Sequence, residues 1–304
     1  MKLKNFYVNK QDEKIRLDKW FHRNIPEMPK ILVIKLIRKG QVRIDGKRAK
    51  INTRVCIDQN IRAPVIEYHL PKKYPDTITH NFKKIKELFL RTTMYEDQNI
   101  IVFNKPYGLC VQDGSRVTVS IDRIFKLSNQ NYHIVHRIDK ETTGTLIVAK
   151  NPNFAAKICD LFKKKQVEKL YIAVLNGVPN LKSGFINSEI IIDNKKYEAQ
   201  TQYNVIQTYE NLYSLVELLP LTGRKHQIRA HCKSIECPIL GDKKYYIHSL
   251  KKNVPQFNKL FLHSFSLKFN LNDKEYVFRA KIAEHFNKLL KIYFPSFSLK
   301  NYDL

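Results

Sequence analysis

Hydrophobic and basic residues in the first quarter of the chain repeat with the period of a helix. From Pro29 onward, aliphatic residues fall on one helical face and basic residues on the opposite face. The apolar face comprises Val33, Ile34 and Ile37, and the basic face comprises Lys35, Arg38 and Lys39. Gly40 stands at the C′ position, where a residue with positive φ commonly ends a helix. The pattern predicts a short basic helix that ends there.

Directly after this segment the hydrophobic period shortens to two residues. Val42 and Ile44 alternate with Arg43 and Asp45, which is the spacing of a half-buried strand. Asp45 is followed by Gly46, a pair that favours the two-residue turn of a hairpin. We therefore predict a helix followed by a β-hairpin, which together present one basic surface.

Short apolar segments recur through the remaining chain and predict further strands. They span residues 99–103, 134–135, 145–148, 170–175, 212–218 and 276–280. Asn151-Pro152 is a favourable N-cap and first-turn pair, and it begins a predicted helix. The apolar residues of that helix are Phe154, Ile158, Leu161 and Phe162. Because the strands are irregularly spaced and outnumber the helices, we predict an α+β fold with a mixed, largely antiparallel sheet flanked by helices and loops.

The length and composition of the chain favour two domains. Its 304 residues are 43% hydrophobic, which is enough apolar material for two folded cores. Residues 70–90 are polar and contain Pro71 and Pro75 ahead of the next apolar segment. We predict a first domain at 1–75 with its core at about 14–70, a linker at 76–90 and a second domain at 91–304.

The charge balance points to a polyanionic partner. Fifty-four basic and 28 acidic residues give a formal net charge of +26. Residues 1–75 contain 19 basic and 7 acidic residues, so the first domain is more basic per residue than the rest. Neutralising phosphates releases condensed counterions, which favours nucleic acid as the partner. A lysine-rich composition that serves only solubility is the alternative.

Cysteine usage and the N-terminal sequence suggest a cytoplasmic protein. The five cysteines form no CxxC pair and no cluster with the spacing of a zinc site, which favours reduced thiols and no metal. The N-terminal segment lacks the apolar run of a signal peptide, and no stretch of about 18 apolar residues predicts a membrane span. We expect no interaction with a membrane.

Two segments concentrate charged residues between apolar ones. HRIDKETTGTLIVAK at 136–150 places a carboxylate and several cations where a loop would present them to a ligand. LTGRKHQIRAHCKSIECPILGDKKY at 221–245 supplies cations that can contact phosphate or pair with a carboxylate. Taken alone, Asp139 is more typical of a turn residue or a surface ion pair, and the second segment of an exposed basic helix start.

These segments resemble the ribosomal large-subunit pseudouridine synthases. The similar blocks, in order, are NKPYGLCV (104–111), HRIDKETTGTLIVAK, KLYIAVLNG (169–177), LTGRKHQIRAH (221–231), PILGDKKY (238–245) and LFLHSFSLKF (260–269). In the first domain, RLDKW (16–20) and PKILVIKLIRKGQVRIDGKR (29–48) resemble an S-four-like RNA-binding domain, although IDQNIR (57–62) lacks the Gly-Asp usual there. The stretch PKILVIKLIRKGQVRIDGKRAK most resembles the synthase C branch, which is similar in layout to the D branch.

The resemblance implies an isomerase that converts uridines of large-subunit ribosomal RNA to pseudouridine. The bond from ribose to a uracil nitrogen breaks and the base rejoins through carbon 5, so the reaction requires no cofactor. By resemblance, Asp139 is the nucleophile and attacks either the uracil ring or the ribose. Arg229, with Arg224 as second choice, is the cation expected to keep it ionised, and Tyr171 is expected to lie against the flipped uracil.

The resemblance also implies which residues contact RNA. Arg137 matches the position that enters the space vacated by the flipped base. The expected RNA-binding residues are His136, Arg137, Arg224 and Lys225 in the second domain and Lys35, Arg38, Lys39, Arg43, Lys47 and Arg48 in the first. The expected partner is large-subunit ribosomal RNA or its assembly intermediates, bound by a monomer without an obligate protein partner. The alternatives are a non-catalytic ribosome-assembly factor of the same fold and a synthase that acts on transfer RNA.

Overall fold

The chain forms two compact units, Met1–Thr79 and His80–Leu304. The computed structural model describes residues 2–25, 28, 30–65, 85–113, 117, 119–127, 130, 132–192, 194–246 and 257–298. Pro29 and most of the predicted linker lie outside these residues. No helix among them is long and apolar enough to cross a membrane.

The first unit packs two helices against a small antiparallel sheet. The helices are α1 (Leu17–Asn24) and α2 (Lys30–Arg38), and the strands are β1 (Lys2–Tyr7), β2 (Arg43–Ile44), β3 (Lys47–Arg48) and β4 (Asn60–Val65), in the order β1-β4-β2-β3. Trp20 and Phe21 of α1 and Leu36 and Ile37 of α2 are buried in the core with Ile61. Burial of one face of each helix stabilises the unit through the hydrophobic effect.

The predicted helix and hairpin of this unit are confirmed. Helix α2 ends at Arg38, and the backbone N–H of Gln41 donates to the carbonyl of Leu36, as in a helix that terminates through a left-handed residue at C′. That residue is Gly40, with a φ of 70°. Asp45 and its following glycine form the two-residue turn that joins β2 to β3.

The second unit is built on a ten-stranded mixed sheet. Its strands are β5 (Thr93–Glu96), β6 (Ile100–Lys105), β7 (His133–Ile134), β8 (Thr143–Ala149), β9 (Glu168–Asn176), β10 (Ser183–Ile186), β13 (Thr201–Tyr209), β14 (Tyr213–Pro220), β15 (Leu262–Leu271) and β16 (Lys274–Arg279). The central order is β10-β13-β14-β9-β15-β8-β6-β5, with β16 beside β15 and β7 beside β8. Strands β8 and β15 are parallel and the other pairs are antiparallel, which confirms the predicted α+β class.

Helices and one further hairpin flank this sheet. The helices are α3 (85–90), α4 (Ile121–Leu127), α5 (Pro152–Lys163), α6 (Gln227–Ser234) and α7 (Glu284–Tyr293), and the hairpin consists of β11 (Ile190–Ile192) and β12 (Lys195–Tyr197). The N-cap prediction for α5 is confirmed, because the side chain of Asn151 accepts a hydrogen bond of 2.8 Å from the backbone N–H of Phe154. All six predicted strand segments are present, whereas β5, β10 to β13 and β15 of this unit were not predicted.

Residues 85–90 correct one end of the predicted linker. They are helical, and Phe89 is fully buried and stacks on Phe103 of β6 with ring centroids 4.1 Å apart. A linker would leave such an aromatic side chain exposed. This segment therefore belongs to the core of the second unit.

The parallel pair of β8 and β15 fixes the loop between β7 and β8. Gly144 of β8 lies opposite Ser264 of β15 and has a φ of 109°. A Cβ atom at this position would overlap the carbonyl of Ser264, so no larger residue fits without movement of the backbone. Next to it, the Thr143 hydroxyl and Nδ1 of the fully buried His263 are 2.7 Å apart. The strand that follows the loop is thus held at a fixed position.

Candidate active site

The two charge-dense segments meet at a cleft of about 580 Å³ in the second unit. The loop between β7 and β8 contributes Asp139 to its wall, and the turn from β14 into α6 contributes His226 and Arg229. Strand β9 contributes Lys169 and Tyr171. Segments that are distant in sequence therefore form one cavity that is rich in cations.

Asp139 presents its carboxylate to this cavity. Oδ1 lies 3.8 Å from Nε2 of His226, and Oδ2 lies 3.8 Å from Nη1 of Arg229. These separations are too long for hydrogen bonds. Within the described part of the chain the carboxylate accepts no hydrogen bond, and 18% of the side chain is exposed. Its oxygens are therefore available to a ligand.

Arg229 is held by carboxylates other than Asp139. Its Nε and Nη2 donate to the two oxygens of Asp242 at 2.6 and 2.8 Å, a bidentate pair. Nη2 also lies 3.1 Å from Oε2 of Glu141. Because the Arg229 side chain is only 4% exposed, this pairing fixes the guanidinium in one orientation beside Asp139.

Asp242 is the residue that anchors Arg229, and the sequence predictions did not include it. Burial by itself would raise the pKa of Asp242, but hydrogen bonds from Arg229 and from the backbone N–H groups of Tyr245 and Lys244 hold that pKa below its ordinary value. The carboxylate is thus ionised, and both of its oxygens accept hydrogen bonds. The Gly-Asp of the PILGDKKY block was the signal in the sequence that marked it.

A network around Gln227 shapes the turn into α6. Its amide oxygen accepts hydrogen bonds from the Thr222 hydroxyl at 2.6 Å and from the Arg224 backbone N–H at 3.0 Å. Its amide nitrogen donates to the hydroxyl of Thr201 on β13. Burial of Gln227 and Arg229 shows that the interpretation of this segment as an exposed basic helix start is wrong.

His226 lies beside the Asp139 carboxylate. It belongs to the second charge-dense segment but was not predicted as a site residue. It precedes α6 with a φ of 55°, and its ring meets that of Tyr245 edge-on. Burial lowers its pKa, although Asp139 opposes this shift. Among the described residues its Nδ1 has no hydrogen-bond partner although it is buried. The neutral imidazole is therefore placed between the carboxylate and Tyr245.

Tyr171 lies in the wall of the cleft, on strand β9. It pairs with Ser264 of β15 and Leu218 of β14, and its ring also packs against two core clusters. Burial raises the pKa of Tyr171 to about 12. A hydrogen bond with Ser264 opposes this increase, and the negative charge of Asp139 adds to it. The phenol is therefore protonated at neutral pH, and one part of it faces the cavity while the rest serves packing.

His136, predicted to bind RNA, lines the cleft and is hydrogen-bonded to the strand that follows the loop. Its Nε2 accepts a hydrogen bond of 2.9 Å from the backbone N–H of Ile147, and its ring stacks on Phe162 with centroids 4.9 Å apart. Burial lowers its pKa to about 3, with a further contribution from Lys169. A neutral side chain that is bonded to β8 supplies no positive charge to RNA. In the structure, its contacts hold the loop in place.

The other predicted RNA-binding residues are exposed. Arg137, Arg224 and Lys225 line the cleft with exposed side chains. Arg224 donates to the carbonyl of Glu198 at 3.2 Å, and its guanidinium lies 5.4 Å from the centre of the Tyr197 ring. The guanidinium therefore contacts the end of β12 rather than Asp139. The six basic residues predicted in the first unit, Lys35, Arg38, Lys39, Arg43, Lys47 and Arg48, are all exposed.

Lys105 supports the loop from behind and was not predicted. It is fully buried at the end of β6, and its Nζ donates to the carbonyls of Pro106, Leu109 and Lys140 at 3.0 to 3.2 Å. Burial lowers its pKa to about 7, and the charge of Asp139 opposes this shift. Because Lys140 follows Asp139 directly, these bonds tie the loop to the NKPYG turn.

The fold and the cleft together define an enzyme site for a polyanionic substrate. One available carboxylate lies beside a fixed guanidinium, and exposed cations surround them. The family model described as RNA pseudouridylate synthase matches residues 99–234. This range includes the whole first charge-dense segment and residues 221–234 of the second. The class is therefore that of an RNA-modifying isomerase.

Two relatives resemble the chain over most of its length. The "Ribosomal large subunit pseudouridine synthase C" of Rickettsia bellii (strain RML369-C) is 34% identical over 294 residues, which cover 90% of this chain and 96% of the relative. A protein of the same name from Buchnera aphidicola subsp. Baizongia pistaciae is 31% identical, with coverages of 86% and 88%. The chain belongs to the pseudouridine synthase family.

Solved structures show the same fold. "Human RNA Pseudouridylate Synthase Domain Containing 4" is similar with a TM-score of 0.60 and 27% identity, and the similarity covers 70% of this chain and 96% of that one. "Human RNA Pseudouridylate Synthase Domain Containing 1" is similar with a TM-score of 0.53 and 24% identity over 63% of this chain and 83% of that one. The second likeness concerns the fold alone.

Proposed function

We propose that this pseudouridine synthase modifies uridines of large-subunit ribosomal RNA, with Asp139 as the nucleophile. The observation that carries the proposal is the Asp139 carboxylate, which faces the cleft and lies 3.8 Å from the fixed guanidinium of Arg229. The printed names of the relatives from Rickettsia and Buchnera support the choice of ribosomal RNA. The exposed basic residues of the first unit support a polyanionic partner.

The chemistry needs an ionised carboxylate beside a base that has left its stack. Asp139 attacks the uracil ring or the anomeric carbon, the bond from ribose to N1 breaks, and the base turns and bonds to ribose through carbon 5. The bond between Asp139 and the nucleoside breaks again before the product leaves, the proton of carbon 5 is lost and N1 gains one, so atoms and charge balance without a cofactor. The guanidinium of Arg229 places a positive charge 3.8 Å from this carboxylate.

Two further residues accommodate the extruded nucleotide. Tyr171 offers its ring as a stacking surface, a contact of about 1–3 kcal/mol in other nucleic-acid sites. Arg137 is exposed at the cleft, and its guanidinium nitrogen lies 3.4 Å from the amide oxygen of Gln112. This weak contact leaves it free to enter the space vacated by the base and to bond phosphate.

Replacing Asp139 by Asn tests the proposal. The variant should bind large-subunit RNA as the parent does and form no pseudouridine, because the amide has a similar shape but no charge. Carbodiimide treatment followed by primer extension on large-subunit RNA measures the product. Asp160→Asn is the matched control, because Asp160 forms an exposed pair with Lys164 on α5. Normal modification by Asp139→Asn would refute the mechanism.

Mapping pseudouridine in cells that lack the protein separates the alternatives. A ribosomal RNA synthase predicts missing sites in large-subunit RNA, and a transfer RNA synthase predicts them in transfer RNA. A non-catalytic assembly factor predicts immature subunits with no missing pseudouridine. Action on the ribosome further predicts a cytoplasmic monomer, which light scattering of the purified protein and fractionation of cells would test.

The first unit is proposed to act as an S-four-like RNA-binding domain. Its helix α2 and the β2-β3 hairpin present the exposed basic residues named above. Deleting residues 1–75 should weaken binding to ribosomal RNA and flatten its dependence on salt, because fewer phosphates are neutralised. Unchanged binding and an unchanged salt slope would assign this unit another role.

A further inference from the structure

Three lysines that played no part in the predictions line one wall of the cleft. They are Lys163, Lys165 and Lys169, at the end of α5, in the turn after it and at the start of β9. Among the residues that the structure describes, none of them has a carboxylate within 4 Å. Their neighbour Lys164, in contrast, pairs with Asp160 at 2.7 Å. The cleft therefore contains cationic groups that have no counterion within the described part of the chain.

Lys169 stands two residues before Tyr171 on β9. Side chains two residues apart share one face of a strand and are separated by about 7 Å. The ammonium is half-buried and donates to the carbonyl of Thr222 at 3.4 Å. Burial lowers its pKa to about 8, and the neighbouring charge of Lys165 lowers it further. Removing this cation from water without an ionic partner is unfavourable in the free protein.

Lys165 occupies a backbone position that favours glycine. Its φ is 60°, and its N–H donates to the carbonyl of Phe162 while that of Gln166 donates to Leu161. This is the left-handed C′ residue that ends a helix, where a Cβ atom is unfavourable. A residue other than glycine therefore costs stability in this conformation. Here the side chain lines the cleft and its charge acts on Lys169.

We propose that Lys165 and Lys169 form a binding site for a backbone phosphate of the RNA, next to the extruded uridine. The proposal rests on the proposed function and adds a contact to it. A phosphate brings the missing counterion and several acceptor oxygens to two ammonium groups that line the same wall of the cleft. When the uracil lies on Tyr171, the sugar-phosphate backbone of the same nucleotide reaches along β9 toward Lys169. The reason is that base and phosphate are separated by about the length of one nucleotide. The site would therefore orient the strand as the base enters.

Replacing Lys169 by Met tests the contact, since Met keeps the apolar stem and removes the charge. A lost charge-assisted hydrogen bond should raise the Kd for a target RNA stem-loop about tenfold or more. The slope of log K against log salt should become shallower by about 0.7, the value for one phosphate on a single strand. Lys169→Arg should restore both. Lys182→Ala and Lys291→Ala remove one exposed charge each outside the cleft and should change Kd little.

Replacing Lys165 by Gly separates a functional lysine from a structural one. Glycine removes the unfavourable left-handed conformation, so the melting temperature should rise while RNA binding weakens severalfold. Opposite changes of stability and affinity are not expected for a residue that serves only the fold. A lower melting temperature with unchanged affinity would overturn the proposal.

Two further results would also overturn it. One is an equal loss of affinity in Lys169→Met and in the two control variants, which would assign the effect to overall charge. The other is a weakened affinity with an unchanged salt slope, which would exclude phosphate. Because binding is measured independently of turnover, a wild-type protein that binds RNA through these lysines but forms no pseudouridine would disprove the proposed function and leave this site standing. Circular dichroism of each variant reports folding.

Discussion

Replacing Asp242 by Asn should uncouple Arg229 from the fold. In the wild-type protein both oxygens of Asp242 accept from the guanidinium, and Oδ1 also accepts from the backbone N–H groups of Lys244 and Tyr245. Asparagine keeps one acceptor oxygen and replaces the other by a donor that faces the guanidinium. The change therefore removes the charge and one hydrogen bond of the pair while it keeps the size of the side chain.

The magnitude follows from the burial of the pair. The side chains of Arg229 and Asp242 are 4% and 0% exposed, so water cannot replace the lost partner. Removing one member of a buried ion pair costs about 3–5 kcal/mol because the other charge stays buried and uncompensated. Glu141, at 3.1 Å, retains part of the stabilisation of Arg229, so we expect the lower end of that range. This is a large share of the roughly 5–15 kcal/mol that stabilises a typical domain.

The same substitution should slow the reaction. A guanidinium that is no longer fixed leaves Asp139 without a cation at a defined distance, and a misplaced group costs up to about a hundredfold in rate. Urea denaturation followed by circular dichroism measures the stability. Release of tritium from RNA labelled at carbon 5 of uridine, in single-turnover experiments, measures the rate.

Asp122→Asn is the matched control for this experiment. Its exposed pair with Lys126 on α4 should contribute no more than about 1 kcal/mol. A loss below about 1 kcal/mol in Asp242→Asn, together with a wild-type rate, would refute the argument that Asp242 positions Arg229.

Two other predictions concern the frame of the cleft. Gly144→Ala should lower stability by about 3 kcal/mol and the melting temperature by about 6–12 °C, because the new Cβ overlaps the Ser264 carbonyl at a positive φ. In thermal unfolding, Gly223→Ala is the control, since its Cβ would meet nothing within 4 Å, and equal stabilities of the two variants would contradict the prediction. Burial lowers the pKa of His263 to about 4, so below pH 6.5 the unfolded chain binds a proton that the folded chain does not. The free energy of unfolding should fall as the pH drops from 6.5 to 4, by up to about 1.4 kcal/mol per pH unit. Urea titrations at pH 7 and pH 5 should show a smaller fall for His263→Gln, and an identical fall would count against this assignment.

Elements whose causes lie within a few residues were predictable from the sequence. The end of α2 at Gly40, the hairpin turn at Asp45 and the N-cap at Asn151 each depend on a backbone preference or on a bond between near neighbours. The resemblance of ordered blocks pointed to Asp139 and Arg229 for the same reason, because such blocks are continuous in the chain.

Strands whose surroundings are irregular were not predictable. Strand β13 contains a register shift between Val205 and Gln207, which interrupts the alternation of inward and outward residues. Strand β15 is buried on both faces over its first four residues, so neither face is solvated there. A pattern with a period of two exists only where one face of a strand is buried and the other solvated.

The sequence by itself determined the basic character, the α+β class and the segments that supply the site. Only the tertiary structure decided which charges pair and which stay available. In the tertiary structure Arg229 pairs with Asp242, and Asp139 faces the cleft. His136 is neutral and supports the loop, and Lys169 has no counterion among the residues that the structure describes. The physical reason is burial, because the cost of an unpaired charge depends on its access to water, and that access is set by elements far apart in the chain.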